Sequence, residues 1–323
     1  LIALAIAFGA VAAGAGASGP GPAAQDPPLA GGTCAGAHDE GDLIPGSAPA
    51  LACSDVNYTI DRDISYAAGS SQRLDLYRPR SRPPYPTVIW IHGGGWLGGD
   101  KASVEQPRRL LCQGYAVASV NYRLSREAVF PAQIQDVKAA IRHLRANAAA
   151  YGLDPGRFAA FGSSAGGHLA ALAATSAGVE AFDDPRLGNP GVSSALQAAI
   201  DWYGPTDLLQ MDPQAIAQGC RGSNHSTAAS PESQLVGCTV SDPSCAEAAR
   251  RASPLSYARP GTPPTLILHG SSDCTVPVAQ SALLRDALRA GGSCSSLRVV
   301  AGAGHGGAEW QTGPVQEQVA DFL

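Results

Sequence analysis

The sequence predicts an α/β fold with a mostly parallel, twisted sheet and helices on both of its faces. Short apolar runs that are typical of buried strands alternate along the chain with stretches of helical periodicity. With 323 residues, 45% of them hydrophobic and 15% charged, the chain is long enough for one large domain with a substantial core. A Gly-x-Ser-x-Gly string lies between a predicted strand and a predicted helix, which indicates a sharp turn at the edge of the sheet.

The first 53 residues are expected to lie outside this domain. Residues 1–17 are apolar and alanine-rich and resemble a secretory signal peptide that lacks its initiator Met and basic start. A membrane anchor is the alternative, but the run is shorter than the roughly 20 residues that span a bilayer. Residues 18–53, rich in Gly, Pro, Ala and Asp, are predicted to form a flexible leader before a domain at 54–323. We therefore expect a secreted or periplasmic protein without stable membrane association once the signal is cleaved.

The domain begins with a predicted hairpin and continues as alternating strands and helices. A continuous apolar run such as 87–91 (TVIWI) is typical of a strand covered on both faces, and apolar residues at helical spacing mark 131–151. The predicted strands are 58–66, 73–77, 87–91, 115–121, 157–161, 196–203, 265–269 and 297–300. The predicted helices are 131–151, 167–177 and 278–290, the last stopped by two glycines.

One stretch, 208–257, interrupts this alternation. It contains Ser, Pro, Asn and three cysteines with little periodicity, and a structureless loop of that length is unusual inside a compact domain. Its place between two late strands suits a cap over a functional site, and a disulfide-braced surface excursion is the alternative. Both interpretations predict a cysteine-containing insertion.

Eight cysteines fit an exported protein, because disulfides persist in oxidising compartments. Cys34 and Cys53 are candidates to tie the leader to the domain, and Cys238 and Cys245 bracket a short loop. Cys112 is predicted to be a buried free thiol because it lies in a helical stretch. Bridges are also plausible for the three remaining cysteines, which lie in predicted loops: Cys220, Cys274 and Cys294.

The Gly-Ser-Ser-Ala-Gly string at 162–166 predicts a nucleophile elbow. A serine at such a turn adopts strained backbone angles, so Gly162 and Gly166 supply the small residues needed on either side of Ser164. Ser164 is therefore the candidate nucleophile. The N–H of Ala165, at the start of the next helix, would face negative charge that develops on the substrate.

A second glycine string, His-Gly-Gly-Gly-Trp at 92–96, follows directly after a predicted strand. Three glycines let the backbone come close to a substrate, so that free N–H groups reach a carbonyl oxygen that gains charge during acyl transfer. Gly94 and Gly95, together with Ala165, are the predicted oxyanion-hole donors. Trp96 and Trp310 flank the site motifs and are candidates to stack on a sugar or aromatic acyl group, although Trp310 is equally well placed in the core.

An activated serine needs a base and a carboxylate that orients the base. In this architecture the acid and then the histidine follow the serine along the chain. His305, in a glycine-rich loop after the last predicted strand, is the candidate base. Asp273, in the loop after the preceding strand, is the candidate acid. The rivals were three histidines and two aspartates, each placed less favourably: His168, His225, His269, Asp207 and Asp242.

Together these segments resemble the secreted α/β-hydrolase esterases typified by the bifunctional acetylxylan/feruloyl esterase-like group, with hormone-sensitive-lipase-like carboxylesterases next closest. The motifs that carry the resemblance are HGGGW, the NYRL stretch with Phe130-Pro131, GSSAGGH and HGxxDxxVP. The resemblance implies an α/β-hydrolase fold, hydrolysis of carboxylic esters and a triad of Ser164, Asp273 and His305. Ser163 stands where many hormone-sensitive-lipase relatives have Asp, which favours the first group.

The expected function is hydrolysis of short-chain or aryl esters through an acyl-enzyme, with acetyl or feruloyl groups of plant polysaccharides as candidate substrates. No metal or organic cofactor is implied by the motifs. A net charge of −5 without basic runs argues against nucleic acid as a partner. The alternatives are a peptidase or amidase on the same fold and a binding module without catalysis.

Overall fold

Nine strands form one sheet in the part of the chain that the computed structural model describes, which comprises residues 43–44, 57–222 and 224–323. The order across the sheet is β1-β9-β8-β7-β6-β4-β5-β3-β2, and every neighbouring pair is parallel except β2–β3 and β3–β5. The mostly parallel sheet is therefore confirmed. The strands are β1 (Leu43–Ile44), β2 (Tyr58–Ser65), β3 (Arg73–Pro79), β4 (Tyr85–Ile91), β5 (Ala116–Val120), β6 (Leu153–Ser163), β7 (Ala198–Trp202), β8 (Thr265–Gly270) and β9 (Ser295–Val300).

Helices cover both faces of the sheet, as predicted. In chain order they are α1 (Ala132–Ala146), α2 (Ala148–Tyr151), α3 (Ala165–Thr175), α4 (Met211–Ala217), α5 (Pro231–Val236), α6 (Ala246–Ala252), α7 (Ala279–Ala290) and α8 (Gly313–Phe322). Short 3-10 helices lie at Pro107–Gln113, Glu180–Phe182, Pro185–Leu187, Pro243–Cys245, Pro254–Tyr257 and Ala308–Gln311.

Strand β4 shows how the two cores are divided. Successive side chains of a strand point to opposite faces, so Ile89 and Ile91 pack with α1 and α3, while Val88 and Trp90 pack with the 3-10 helix Pro107–Gln113 and with α8. Helix α7 packs beside α3 on the first face. Both faces of β4 are therefore buried, which is why its sequence is apolar without alternation.

The predicted elements agree with the structure, and their ends differ in a few places. Strand β6 begins at Leu153 rather than at residue 157, and the helix expected over 131–151 is divided into α1 and α2 at Asn147. Helix α8 was not predicted. Strand β1 lies within the predicted leader and pairs with β9, and the remainder of residues 1–53 lies outside the described residues.

The insertion at 208–257 folds into three short helices, α4, α5 and α6, rather than remaining irregular. Polar side chains cap their turns: Ser230 accepts the Ser233 N–H at the start of α5, and Asp242 accepts the Ser244 N–H at a 3-10 turn. Short capped helices of this kind have too few turns to show an apolar period, which explains why the sequence pattern predicted no element here.

Two disulfides are described. Cys238 pairs with Cys245 within the insertion, and Cys220 pairs with Cys274 in the loop after β8. The plausible bridging of Cys220, Cys274 and Cys294 is confirmed, since Cys294 is also disulfide-bonded. The prediction of a buried free thiol at Cys112 is wrong, because Cys112 is exposed and disulfide-bonded. Cys34 and Cys53 lie outside the described residues.

Candidate active site

Ser164 occupies the sharp turn between β6 and α3 with φ 56° and ψ −124°, a conformation that a non-glycine residue rarely adopts. The turn is closely packed, and its backbone is held by a hydrogen bond from the Ser164 N–H to the Trp202 carbonyl (2.8 Å). A Cβ on Gly162 would lie 2.1 Å from the Gly166 carbonyl oxygen, and one on Gly166 would lie 2.0 Å from the Ile91 oxygen. The predicted need for small residues on both sides of the serine is therefore confirmed.

The structure brings the three predicted triad side chains into one hydrogen-bonded line. The distance from Ser164 Oγ to His305 Nε2 is 2.8 Å, and the distance from His305 Nδ1 to Asp273 Oδ2 is 2.7 Å. Because a carboxylate only accepts hydrogen bonds, the proton of the neutral imidazole lies on Nδ1. Nε2 is then free to accept the hydroxyl proton of Ser164.

Asp273 is fully buried, and its carboxylate is surrounded by donors. The backbone N–H groups of Thr275 and Val276 donate to Oδ1 at 2.8 and 2.9 Å. Burial opposes ionisation, but hydrogen bonds from His269 and His305 outweigh it and hold the pKa of Asp273 well below its ordinary value. The carboxylate therefore stays ionised and oriented toward His305.

His269, considered above as a rival base, instead supports the acid. Its Nε2 lies 2.9 Å from the Val276 carbonyl and 3.3 Å from Asp273 Oδ2, and its Nδ1 lies 2.6 Å from the Ser281 hydroxyl. The sequence placed this histidine at the end of a strand but gave no signal of its partner. The loop after β8 turns back on itself and brings the two side chains together.

The other rivals have local structural roles. His168 is buried in α3, where its Nε2 hydrogen-bonds to the Ala252 carbonyl (2.7 Å) and its ring packs edge-on against Trp96. Asp207 accepts the N–H of Leu209, in the manner of a turn-forming aspartate. Asp242 caps a 3-10 turn, as described above.

The glycine loop after β4 lies beside Ser164. Gly94 and Gly95 have φ values of +109° and +60°, which side-chain-bearing residues rarely adopt. His92 holds this loop in place: its Nδ1–H donates to the Gly93 carbonyl (2.8 Å), and its ring stacks on Tyr122 at 4.5 Å. The first N–H groups of α3, Ala165 among them, have no partner within the helix, and Ala165 lines the same cavity as Gly94 and Gly95.

A cavity of about 450 Å³ joins these groups to the insertion. Its lining includes the predicted oxyanion-hole residues Gly94, Gly95 and Ala165, the side chains of Ser164 and His305, and, from the insertion, Asn224, His225, Pro231 and Glu232. A Cβ on Gly95 would lie 3.3 Å from Pro231 Cβ, so the insertion closes directly over the glycine loop. The insertion therefore forms a cap over the candidate site.

The aromatic side chains near the triad pack against it or lie in the core, and they do not offer an exposed ring face to a substrate. Tyr203 packs edge-on against His305 at 4.7 Å and against Trp310 at 4.3 Å. No motif in the sequence indicates this positioning role. Trp96 and Trp310 are each 1% exposed. Stacking of a substrate ring on either tryptophan is therefore not possible in this conformation, and Trp310 is a core residue.

The cap also holds the acid loop. Gln218, just after α4, donates its Nε2–H to the Asp273 carbonyl (2.6 Å) and accepts the Val278 N–H (2.9 Å). The Cys220–Cys274 disulfide lies beside these bonds. One end of the cap is thereby fixed to the residue that orients His305.

Two further observations concern residues 57–222 and 224–323 alone. No helix there has both the length and the apolar composition that crossing a bilayer requires. No cluster of three or more His, Cys, Asp or Glu side chains there is arranged as a metal site.

Known proteins are similar to this chain in sequence and in fold. The BD-FAE family matches residues 74–288. Esterases LipC and LipQ of Mycobacterium tuberculosis are 33% and 36% identical, over 82% and 81% of this chain and 65% and 61% of their own lengths. The chain therefore spans less than two thirds of these relatives. A solved structure described as a truncated form of a carbohydrate esterase from gut microbiota has a TM-score of 0.75 and 33% identity, covering 85% of this chain and 98% of that one. The α/β-hydrolase fold is thus confirmed, and the chain belongs to the BD-FAE family.

Proposed function

We propose that this protein is a serine esterase that hydrolyses carboxylic esters through an acyl-enzyme. The observation that carries the proposal is the continuous hydrogen-bonded line from Ser164 through His305 to Asp273 at 2.8 and 2.7 Å. A nucleophile, a base and an orienting acid in this arrangement, beside a glycine loop, are the groups that acyl transfer to a serine requires.

In the first half of the proposed reaction, His305 Nε2 accepts the hydroxyl proton while Ser164 Oγ attacks the ester carbonyl carbon. The carbonyl oxygen gains negative charge, which the N–H groups of Gly94, Gly95 and Ala165 stabilise. Donors fixed in advance of the reaction are effective because no reorganisation is needed, and each contributes about 10²- to 10³-fold in rate. His305 then gives its proton to the alcohol oxygen as the carbon–oxygen bond breaks, and the acyl group remains on Ser164.

In the second half, water enters the position of the alcohol. His305 removes a proton from the water as its oxygen attacks the acyl carbon, and the same N–H groups hold the second oxyanion. The bond to Ser164 Oγ breaks, the serine recovers its proton from His305, and a carboxylic acid is released. The ionised Asp273 stabilises the imidazolium in both halves.

Short-chain or aryl acyl groups are the proposed substrates, because the cap and Pro231 restrict the space beside the glycine loop. The BD-FAE family and the similarity to a carbohydrate esterase support acetyl or feruloyl groups on plant polysaccharides. The two described disulfides support a location outside the cytoplasm, secreted or periplasmic.

The test is hydrolysis of p-nitrophenyl esters from acetate to decanoate, with methyl ferulate and acetylated xylan, by the protein and by Ser164→Ala. We expect the wild type to turn over the short esters and the variant to lose at least about 10⁴-fold in kcat while keeping its fold. A fluorophosphonate should label the wild type at Ser164 and leave the variant unlabelled. Retained turnover by the variant would refute the mechanism, and faster cleavage of a chromogenic peptide than of any ester would indicate a peptidase.

A further inference from the structure

His225 and Glu232 form a polar pair in the cap that the proposed reaction does not use. His225 Nδ1–H donates to Glu232 Oε1 at 2.8 Å. The backbone of His225 is fixed at both ends, since its N–H donates to Asp212 Oδ1 (2.8 Å) and its carbonyl accepts from the Ser230 hydroxyl (2.8 Å). The pair is therefore rigid, and both residues line the cavity above Ser164.

Each member of the pair has one side-chain atom without a partner. Glu232 has a side chain only 5% exposed, and its Oε2 makes no hydrogen bond; Nε2 of His225 is buried and also makes none. Buried polar groups in native proteins are nearly always hydrogen-bonded, so two unpaired ones on paired residues that line one cavity indicate groups that a ligand satisfies.

The charges around the cavity select the kind of ligand. Burial alone would lower the pKa of His225, but the hydrogen bond and charge of Glu232 and the charge of Asp212 raise it above its ordinary value. A carboxylate ligand would be repelled by Glu232, and an ammonium ligand would be repelled by a protonated His225. A neutral hydroxyl is repelled by neither residue, and it can donate to a carboxylate oxygen and accept from the Nε2–H of a protonated imidazole.

We propose that His225 and Glu232 form a subsite that binds a hydroxyl group of the ester substrate. The proposal rests on the proposed esterase function and adds the residues that determine its specificity. The hydroxyl belongs either to the alcohol half, as in a partly acetylated sugar, or to the acyl half, as in a hydroxycinnamoyl group. The chemistry recognised is the same in both cases.

The experiment compares two matched pairs of esters. In the first pair, 2-hydroxycyclohexyl acetate and cyclohexyl acetate differ by one hydroxyl on the alcohol. In the second, methyl 4-hydroxycinnamate and methyl cinnamate differ by one hydroxyl on the acyl group. We expect the wild type to prefer the hydroxylated member of one pair in kcat/KM by about tenfold to a hundredfold, the range of a hydrogen bond to a charged group.

The double variant His225→Phe/Glu232→Met should abolish the preference for the hydroxylated ester in kcat/KM. Replacing both partners by apolar groups of similar shape avoids leaving one buried charge unpaired. The matched control is Gln234→Ala on the same helix, whose side chain bonds to the Ala229 carbonyl and does not line the cavity. This control should keep the wild-type preference.

Equal rates of the wild type on both members of both pairs would overturn the subsite, as would an unchanged preference in the double variant. Should the double variant fail to fold, the wild-type comparison together with Glu232→Gln decides, since the amide removes the charge while keeping the shape. In that variant we expect the preference to fall by about tenfold, and an unchanged preference would refute the subsite. Absence of turnover on every ester, p-nitrophenyl acetate included, would instead refute the esterase function.

Discussion

Asp201 is a carboxyl group buried in β7 beneath helix α3, away from the triad. Its Oδ1 accepts the Gly204 N–H at 2.8 Å, and its Oδ2 has no partner. Burial raises the pKa of Asp201 to about 7, although the bond from Gly204 acts in the opposite direction. A proton therefore binds this carboxyl more tightly in the folded protein than in the unfolded chain.

The sign of the resulting pH dependence follows from linkage. Stability contributed by this proton is fully present below pH 4, near the unfolded pKa of 3.8, and is lost as the pH rises toward 7. We expect Asp201→Asn, which is neutral at every pH and keeps an acceptor for Gly204, to match the wild type near pH 4. Above pH 7 its free energy of unfolding should exceed that of the wild type by about 4 kcal/mol.

Urea unfolding of both proteins between pH 4 and pH 9, with the disulfides kept oxidised, measures this difference. A stability difference that does not change with pH would contradict the raised pKa of Asp201.

The site residues whose roles could be predicted lie within sequence motifs or directly after predicted strands, whereas the roles that were missed depend on contacts that no motif indicates. Ser164 and the glycines around it lie in one short string whose backbone demands are local. Asp273 and His305 follow strands, so the parallel sheet brings them to the same edge, and their positions could be predicted from chain order. His269 and Tyr203 act through packing between distant loops, for which a single sequence contains no signal.

Helix α4 and the loop after β8 are coupled by the Cys220–Cys274 disulfide and by Gln218. Removing this bridge frees a closed loop of 54 residues, for which the chain-entropy estimate is about 4 kcal/mol. We expect Cys220→Ser/Cys274→Ser to lower the thermal midpoint and also kcat, because Asp273 loses part of its support. Calorimetry and the kcat for p-nitrophenyl acetate measure the two effects.

The matched control is Cys238→Ser/Cys245→Ser, which opens a bridge with a sequence separation of 7 inside the cap. The same estimate gives about 2 kcal/mol for this bridge, and it does not touch the acid loop. Equal losses of kcat in the two double variants would show that the Cys220–Cys274 disulfide does not contribute to the positioning of Asp273.

Strands and long helices could be predicted because burial imposes a period on their sequences. Strand β4 ends in an uninterrupted apolar run, Val88 to Ile91, because both of its faces are covered, and α1 has apolar residues at helical spacing. The helices of the cap have six or seven residues each, too few for a period to emerge. The burial of Cys112 was predicted wrongly, because a helical pattern in the sequence does not show which turn of the helix is exposed.

The cap is joined at several separate points to the loops and helices that surround the sheet. The Phe130 N–H donates to the Leu235 carbonyl (2.8 Å), His168 bonds to the Ala252 carbonyl, and the Ser253 hydroxyl donates to the Thr206 carbonyl (2.6 Å). Leu235 and other apolar residues of the cap belong to the same core as α1 and α3. We infer that cap and sheet unfold together.

Tryptophan fluorescence offers a direct check of this cooperativity. All four tryptophans are buried at 1% exposure or less: Trp90, Trp96, Trp202 and Trp310. Trp96 lies under the cap, whereas Trp90 and Trp202 lie in the core on the opposite face. We expect one denaturant transition, with coincident midpoints by fluorescence and far-ultraviolet circular dichroism. A separate early change in fluorescence would show that the cap opens independently.

The position of Pro231 next to Gly95 has a consequence for redesign of this protein. Pro231 of the cap lies next to the loop whose backbone N–H groups would hold the oxyanion. The cap and the loop together therefore set the shape of the space that receives the acyl group. The cavity cannot be widened from the loop side, because positions 94 and 95 are already glycine and have no side chain to shorten. Engineering for bulkier acids should therefore begin at position 231, where a smaller side chain enlarges the cleft and leaves the amides in place.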